Sequence, residues 1–120
     1  MKLSIRLILV IASVLSLAAM TGCEDDEEYN HRPPEGQGSL IIDNTTYDDI
    51  YVYIDGVEVL RAPYRSWRAY DLEPGEHRVV LDQRDGDRYH ADYVDILENK
   101  RTVWDVHLGY TDYDVRKWVD

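Results

Sequence analysis

Ile50-Tyr51-Val52-Tyr53-Ile54-Asp55-Gly56-Val57-Glu58-Val59-Leu60 is the stretch whose reading decides the fold. Ile50, Val52 and Ile54 alternate with Tyr51 and Tyr53, the period of a strand with one apolar face and one solvent face. Asp55-Gly56 marks a tight hairpin, because glycine enters positive φ at little cost. Val57 and Val59 continue on the returning strand.

The same period runs outward in both directions. Leu40 and Ile42 alternate upstream, and Asn44-Thr45-Thr46 reads as a turn after that strand. Downstream, Pro63 breaks the pattern into a loop or edge. Trp67 to Leu72 forms another strand, Glu73-Pro74-Gly75-Glu76 turns, and His77 to Asp82 places Val79 and Leu81 inward. Asp85-Gly86-Asp87 turns again. Tyr89 to Leu97 and Arg101 to Leu108 are the last two clear strands, with Trp104 assigned to the core beside Val106 and Leu108. Short strands at this spacing predict an all-β chain, a small antiparallel sandwich of about seven strands. Residues 109–120 fit a frayed tail, an added edge strand, or a short helix packed through Val115 and Trp118.

The N-terminus reads differently. Met1 to Arg6 is short and basic, and Leu7 to Met20 is apolar. That run is too short to span a hydrocarbon core of about 30 Å as a helix, and it has the layout of a secretory signal. Met20-Thr21-Gly22-Cys23 follows, with Cys23 the only cysteine. These residues resemble the lipobox of bacterial lipoproteins, with Met20 in place of the usual Leu. The resemblance implies cleavage after Gly22 and acylation of Cys23. Two or more acyl chains hold a protein on a bilayer where one does not. A single cysteine also excludes an intramolecular disulfide.

The expected organisation is therefore a signal at 1–22, a lipidated cysteine with an acidic Pro/Gly linker at 23–37, a β domain at 38–108 and a tail at 109–120. The linker EDDEEYNHRPPEGQ carries almost no aliphatic side chain and reads as a disordered, solvated tether. The whole chain has 24 acidic and 13 basic residues, a net charge of −11. Loss of Lys2 and Arg6 with the signal makes it more negative still. Such a body disfavours nucleic acid as a partner.

The run from Ile50 to Leu60, followed by Leu72-Glu-Pro-Gly-Glu-His-Arg-Val79, resembles PEGA-type domains. It is also similar to a family of secreted β domains with a "VYVDG … L-P-G-x-Y-x-V" signature. Both imply an Ig-like or transthyretin-like sandwich on a bacterial cell surface, over about residues 38–108. Neither implies a catalytic site.

No catalytic motif stands out. Neither Ser39 nor Ser66 lies in a nucleophile elbow, and no zinc-protease helix or phosphate loop is present. His90-Ala-Asp92 and Asp105-Val-His107 are placed on adjacent predicted strands, where His90, Asp92 and His107 offer a remote zinc reading against ordinary polar cross-strand pairs. Asp82, Asp85 and Asp87 lack the spacing of a calcium loop. No metal or cofactor is expected.

The distinctive surface candidate is Arg61-Ala-Pro-Tyr64-Arg65-Ser-Trp67-Arg68, three arginines and two aromatics without an acid. Arginine and aromatic residues concentrate at binding hot spots, and such a patch can hold a carboxylate or stack on a sugar. The leading expectation is a non-catalytic, membrane-anchored envelope domain that binds or scaffolds a protein or glycan. The alternatives are a carbohydrate- or peptidoglycan-binding module using Arg61, Tyr64, Arg65, Trp67 and Arg68, and more remotely a small metal-dependent enzyme.

Overall fold

The structure is a computed structural model that describes residues 28–120. Gly22 and Cys23 lie outside the described residues. The chain divides into two units, 1–30 and 31–120, and the second carries the fold.

Eight strands make up the described fold, one more than the alternation implied. They are β1 (Gly38–Asn44), β2 (Ile50–Ile54), β3 (Val57–Glu58), β4 (Ser66–Leu72), β5 (Gly75–Gln83), β6 (Tyr89–Ile96), β7 (Arg101–Leu108) and β8 (Tyr113–Val119). They form two four-stranded sheets, β4-β1-β7-β8 and β3-β2-β5-β6. The expected all-β sandwich is what the chain adopts. One pairing departs from the antiparallel expectation: β1 and β7 run parallel, with Ile41 opposite Val103 and Ile42 opposite Trp104. A strand centred in its sheet and buried on both faces tolerates an unbroken apolar run. Leu40, Ile41 and Ile42 are that run, and all three are fully buried.

Between the sheets lie Leu40, Ile42, Trp104 and Val106 from the first sheet. Ile50, Val52, Ile54, Val79, Leu81, Val94 and Ile96 meet them from the second. Most of these are alternate positions read from the sequence, and Trp104 is fully buried among them; Leu108, grouped with it by the same alternation, is exposed at the end of β7. The β2–β3 hairpin turns on Asp55 and Gly56, both at positive φ (54° and 83°), the pair of left-handed residues that the tightest hairpin demands. Asp55 does more than turn. Its carboxylate accepts the Arg78 backbone N–H at 2.9 Å and meets His77 Nδ1 at 2.6 Å. The other ring nitrogen of His77 lies 2.7 Å from the Glu73 carbonyl.

β3 is shorter than expected. Only Val57 and Glu58 pair in register with β2, both exposed; the Val59 N–H still donates to the Val52 carbonyl at 3.0 Å, and the chain then bulges away over Leu60 and Arg61. Ala62 returns to bridge Ile50. The tail resolves as an edge strand. Tyr113 points inward and is buried, while Val115 packs on the core. Trp118, opposite Val103, stands on the other face, because residues three apart on a strand point to opposite sides. A helix through Val115 and Trp118 is therefore not the solution.

Part of the stretch read as a solvated linker is tied to the domain. His31 Nε2 sits 2.8 Å from Asp71, and the His31 carbonyl accepts from Arg101. The Gln37 carbonyl accepts the Asn99 N–H at 2.8 Å. Gly38 follows, where an added Cβ would meet the Leu97 carbonyl oxygen at 2.3 Å. Only glycine lets β1 begin so close to the end of β6.

Candidate functional site

The two sheets leave two long sides where edge strands face each other. On one side β6 faces β8, and on the other β3 faces β4. The sides are linked by one row of inward residues across the first sheet. In register, Arg68 on β4 stands beside Ile42, Ile42 beside Trp104, and Trp104 beside Lys117 on β8. The row thus starts and ends with a cation.

The Lys117 end is closed. Its ammonium lies 4.5 Å from the Trp104 ring centroid and 2.8 Å from Asp92 of β6. His90 meets the same indole edge-to-face, with ring centroids 5.4 Å apart. Burial, and then the Lys117 charge, hold the His90 imidazole below its ordinary pKa. Hydrogen bonds from Lys117 and from the Tyr93 N–H hold Asp92 below the usual carboxylate range.

The Arg68 end is open. A cleft of about 430 Å³ is lined by Tyr51, Glu58, Val59, Leu60, Arg61, Pro63 and Arg68. Short β3 and the departing segment after it create the space. The buried Tyr70 hydroxyl, on β4, donates to the Leu60 carbonyl and fixes the cleft's wall. Burial raises the Tyr70 pKa. Arg68 Nε is buried and has no hydrogen-bond partner. Arg61 reaches Asp49 only at 3.8 Å, and Asp49 also holds Arg84 at 3.2 Å.

The sequence candidate 61–68 is therefore not one patch. Arg61 and Arg68 line the cleft. Trp67, opposite Asp43, falls on the outer face of the first sheet. Arg65 sits at positive φ (55°), donates to the Thr45 carbonyl at 2.8 Å, and lies 5.1 Å from the Tyr47 ring centroid. Tyr64 is exposed, and its backbone N–H donates to Asp49. The division follows from β4 beginning at Ser66, after which successive side chains take opposite faces.

The histidine and aspartate pairs also separate. β6 and β7 belong to different sheets, so Asp92 and His107 are not cross-strand neighbours. His107 bonds to Asp105 at 2.9 Å and contacts Thr45 Oγ1 at 3.2 Å, while Asp92 serves Lys117. Among the described residues, no group of three or more His, Asp or Glu converges as a metal site.

The sequence reading overlooked a second surface. Tyr51 and Tyr53 were placed on the solvent side of β2. The pairing brings Tyr89 into the row of Tyr51 and Asp82, and Ala91 into the row of Tyr53 and Val80. Tyr93 stands opposite Arg78 in the next row. Four tyrosines thus share the outer face of the second sheet, with Tyr89 and Tyr93 exposed. Desolvation, then the charges of Glu58 and Asp82, raise the Tyr53 pKa. Tyr51 belongs to both this face and the cleft. Alternation within Tyr89 to Ile96 was the signal available, but only strand order shows that it meets β2 across β5.

This architecture is a two-layer β fold of a kind already seen in solved structures. The N-terminal domain of AlgF from P. aeruginosa superposes with a TM-score of 0.55 at 8% identity, covering 72% of this chain and 96% of that domain. The C-terminal domain of AlgF from P. aeruginosa gives a TM-score of 0.55 at 7% identity, covering 72% of this chain and all of that domain. At such identities the likeness is one of fold. No family model and no curated protein matches the chain.

Proposed function

We propose that this chain is a lipid-anchored, non-catalytic domain of the bacterial envelope that binds or scaffolds an envelope protein or glycan. The Met20-Thr21-Gly22-Cys23 stretch supports the anchor, and the PEGA-like turn pattern fits an extracytoplasmic sandwich. The observation that carries the binding role is the outer face of the second sheet. Tyr51, Tyr53, Tyr89 and Tyr93 stand there together beside the cleft. Tyrosine offers a rigid ring with a polar tip, at low conformational cost for the area it contributes.

The same face favours the glycan among the possible partners. Ring faces stack on sugar C–H surfaces, and the phenols and nearby Asp82 and Arg78 supply hydrogen bonds. Tyr51 and Tyr89 lie two strands apart, roughly 10 Å, a separation that spans more than one ring of a chain and so suits a polymer rather than one small molecule.

The test has two arms. Cys23→Ala is expected to abolish incorporation of labelled fatty acid and to release the protein from membranes. Undiminished labelling removes the anchor. A photo-crosslinking residue at Tyr93 is expected to capture an envelope component in cells, and the same residue at Arg116 on the first sheet is not. Equal capture from both positions refutes the tyrosine face as the binding surface.

A further inference from the structure

We propose that the cleft between β3 and β4 is a seat for the terminal carboxylate of a peptide chain, held by Arg68. This deepens the binding role above and rests on it, at a site separate from most of the tyrosine face.

The case starts from an unmet donor. A buried polar group without a partner is costly, and for a charged group the cost is larger. Arg68 Nε is such a group, and it lines a concave site. The equivalent cation at the other end of its row, Lys117, has both a carboxylate and an aromatic ring against it. Among the described residues no carboxylate forms an ion pair with Arg68, although Glu58 lines the same cleft. The guanidinium presents parallel N–H donors that match the two oxygens of a carboxylate. Arg61 stands in the same cleft, its contact with Asp49 long at 3.8 Å, so it adds a second positive charge.

The remaining lining narrows the ligand. Leu60, Val59 and Pro63 supply apolar surface next to the arginines, with Leu60 largely exposed. An apolar side chain next to a carboxylate, the end of a peptide, meets both demands. A polymer with a carboxylate on every unit is disfavoured, because Glu58 lines the same cleft and the chain carries 24 acidic residues. Recognition of a chain end by its carboxylate, next to a sheet edge, is a known mode of peptide capture.

The experiment uses the full chain in detergent, with arginine labelled by ¹⁵N. N-acetylleucine is the probe, N-acetylleucinamide its uncharged counterpart, and glucuronate the sugar acid. Arg68→Gln removes one Nε signal and so assigns it. N-acetylleucine is expected to move that signal saturably, and the amide is not. Arg68→Gln is expected to weaken binding by about tenfold or more, as judged by backbone shifts around Leu60. A dispersed spectrum of the variant shows that it is folded, and the acid–amide contrast in the unmodified chain stands without any variant. A stationary Arg68 signal overturns the proposal, as does equal binding of the amide. Tighter binding of glucuronate than of N-acetylleucine overturns the peptide end in favour of a sugar acid. None of these results touches fatty-acid labelling of Cys23 or crosslinking from Tyr93, so this seat and the broader binding role fail separately.

Discussion

The two long sides of the sandwich solve the same problem in opposite ways. Each exposes one end of the row Arg68–Ile42–Trp104–Lys117. At the β6–β8 side, Lys117 is spanned by Asp92 from the other sheet and lies against Trp104, while His90 abuts the same indole. At the β3–β4 side the facing strand ends after two residues, and Arg68 looks into a cleft. A cation whose partners come from the fold acts as a latch between sheets. A cation that lines a cleft and has no ion pair from the described fold is available to something else. Residue type does not distinguish the two, and the facing strand does.

The largest expected effect comes from the residue that both ends share. Trp104→Ala removes a fully buried indole and is expected to cost about 3–5 kcal/mol. That is a large share of a small domain's stability, and chemical denaturation would register it as a collapse of the midpoint. Loss of only a few tenths of a kcal/mol would mean the row is not the core of this side.

Removing one terminal cation at a time sharpens the contrast, because the two changes should differ in sign. Lys117→Met loses the ion pair and the ring contact and is expected to destabilise by about 1 kcal/mol. Arg68→Met replaces an unmet donor with apolar volume and is expected to be neutral or stabilising in the absence of ligand. Equal losses in urea melts would erase the distinction between the sides.

The smallest effects are those of pH. The folded protein holds His90 below its ordinary value of 6.5, first through burial and then through Lys117. The unfolded chain therefore binds more protons just below pH 6.5, and stability should fall as the pH drops through that window. His90→Gln should flatten this slope. His77 behaves oppositely. Burial lowers its pKa, but the Asp55 and Glu73 hydrogen bonds outweigh that and raise it above 6.5. Its contribution is complete below pH 6.5 and is lost as the pH rises through the raised value, so His77→Gln should flatten the alkaline slope. Melting temperatures between pH 5 and 8 would separate the two histidines, and an unchanged acid limb in His90→Gln would remove His90 from the closed side's account.

Much of the core was legible in advance. Ile50, Val52, Ile54, Val79, Leu81 and Trp104 were all assigned inward from alternation alone, and all are buried. Alternation is a local property, since it follows from the pleat of a single strand. The Asp55-Gly56 turn was equally local. The candidate site was less legible. The eight residues 61–68 look contiguous in sequence, yet β4 begins inside them and sends Trp67 and Arg68 to opposite faces. Tyr51, Glu58 and Pro63 join Arg68 only because β3 is cut short. Consecutive strands placed Asp92 beside His107, whereas the chain changes sheets between β6 and β7.

By itself the sequence determined where the chain reverses and which face of each strand is apolar. Both depend on neighbours within a few residues. The tertiary structure alone decided the parallel pairing of β1 with β7, the tyrosine rows across β2, β5 and β6, and which of two edge cations has a partner. Those outcomes depend on elements that are distant in the chain, as Asp92 joins Lys117, and strand order, which no local pattern encodes, brings them together.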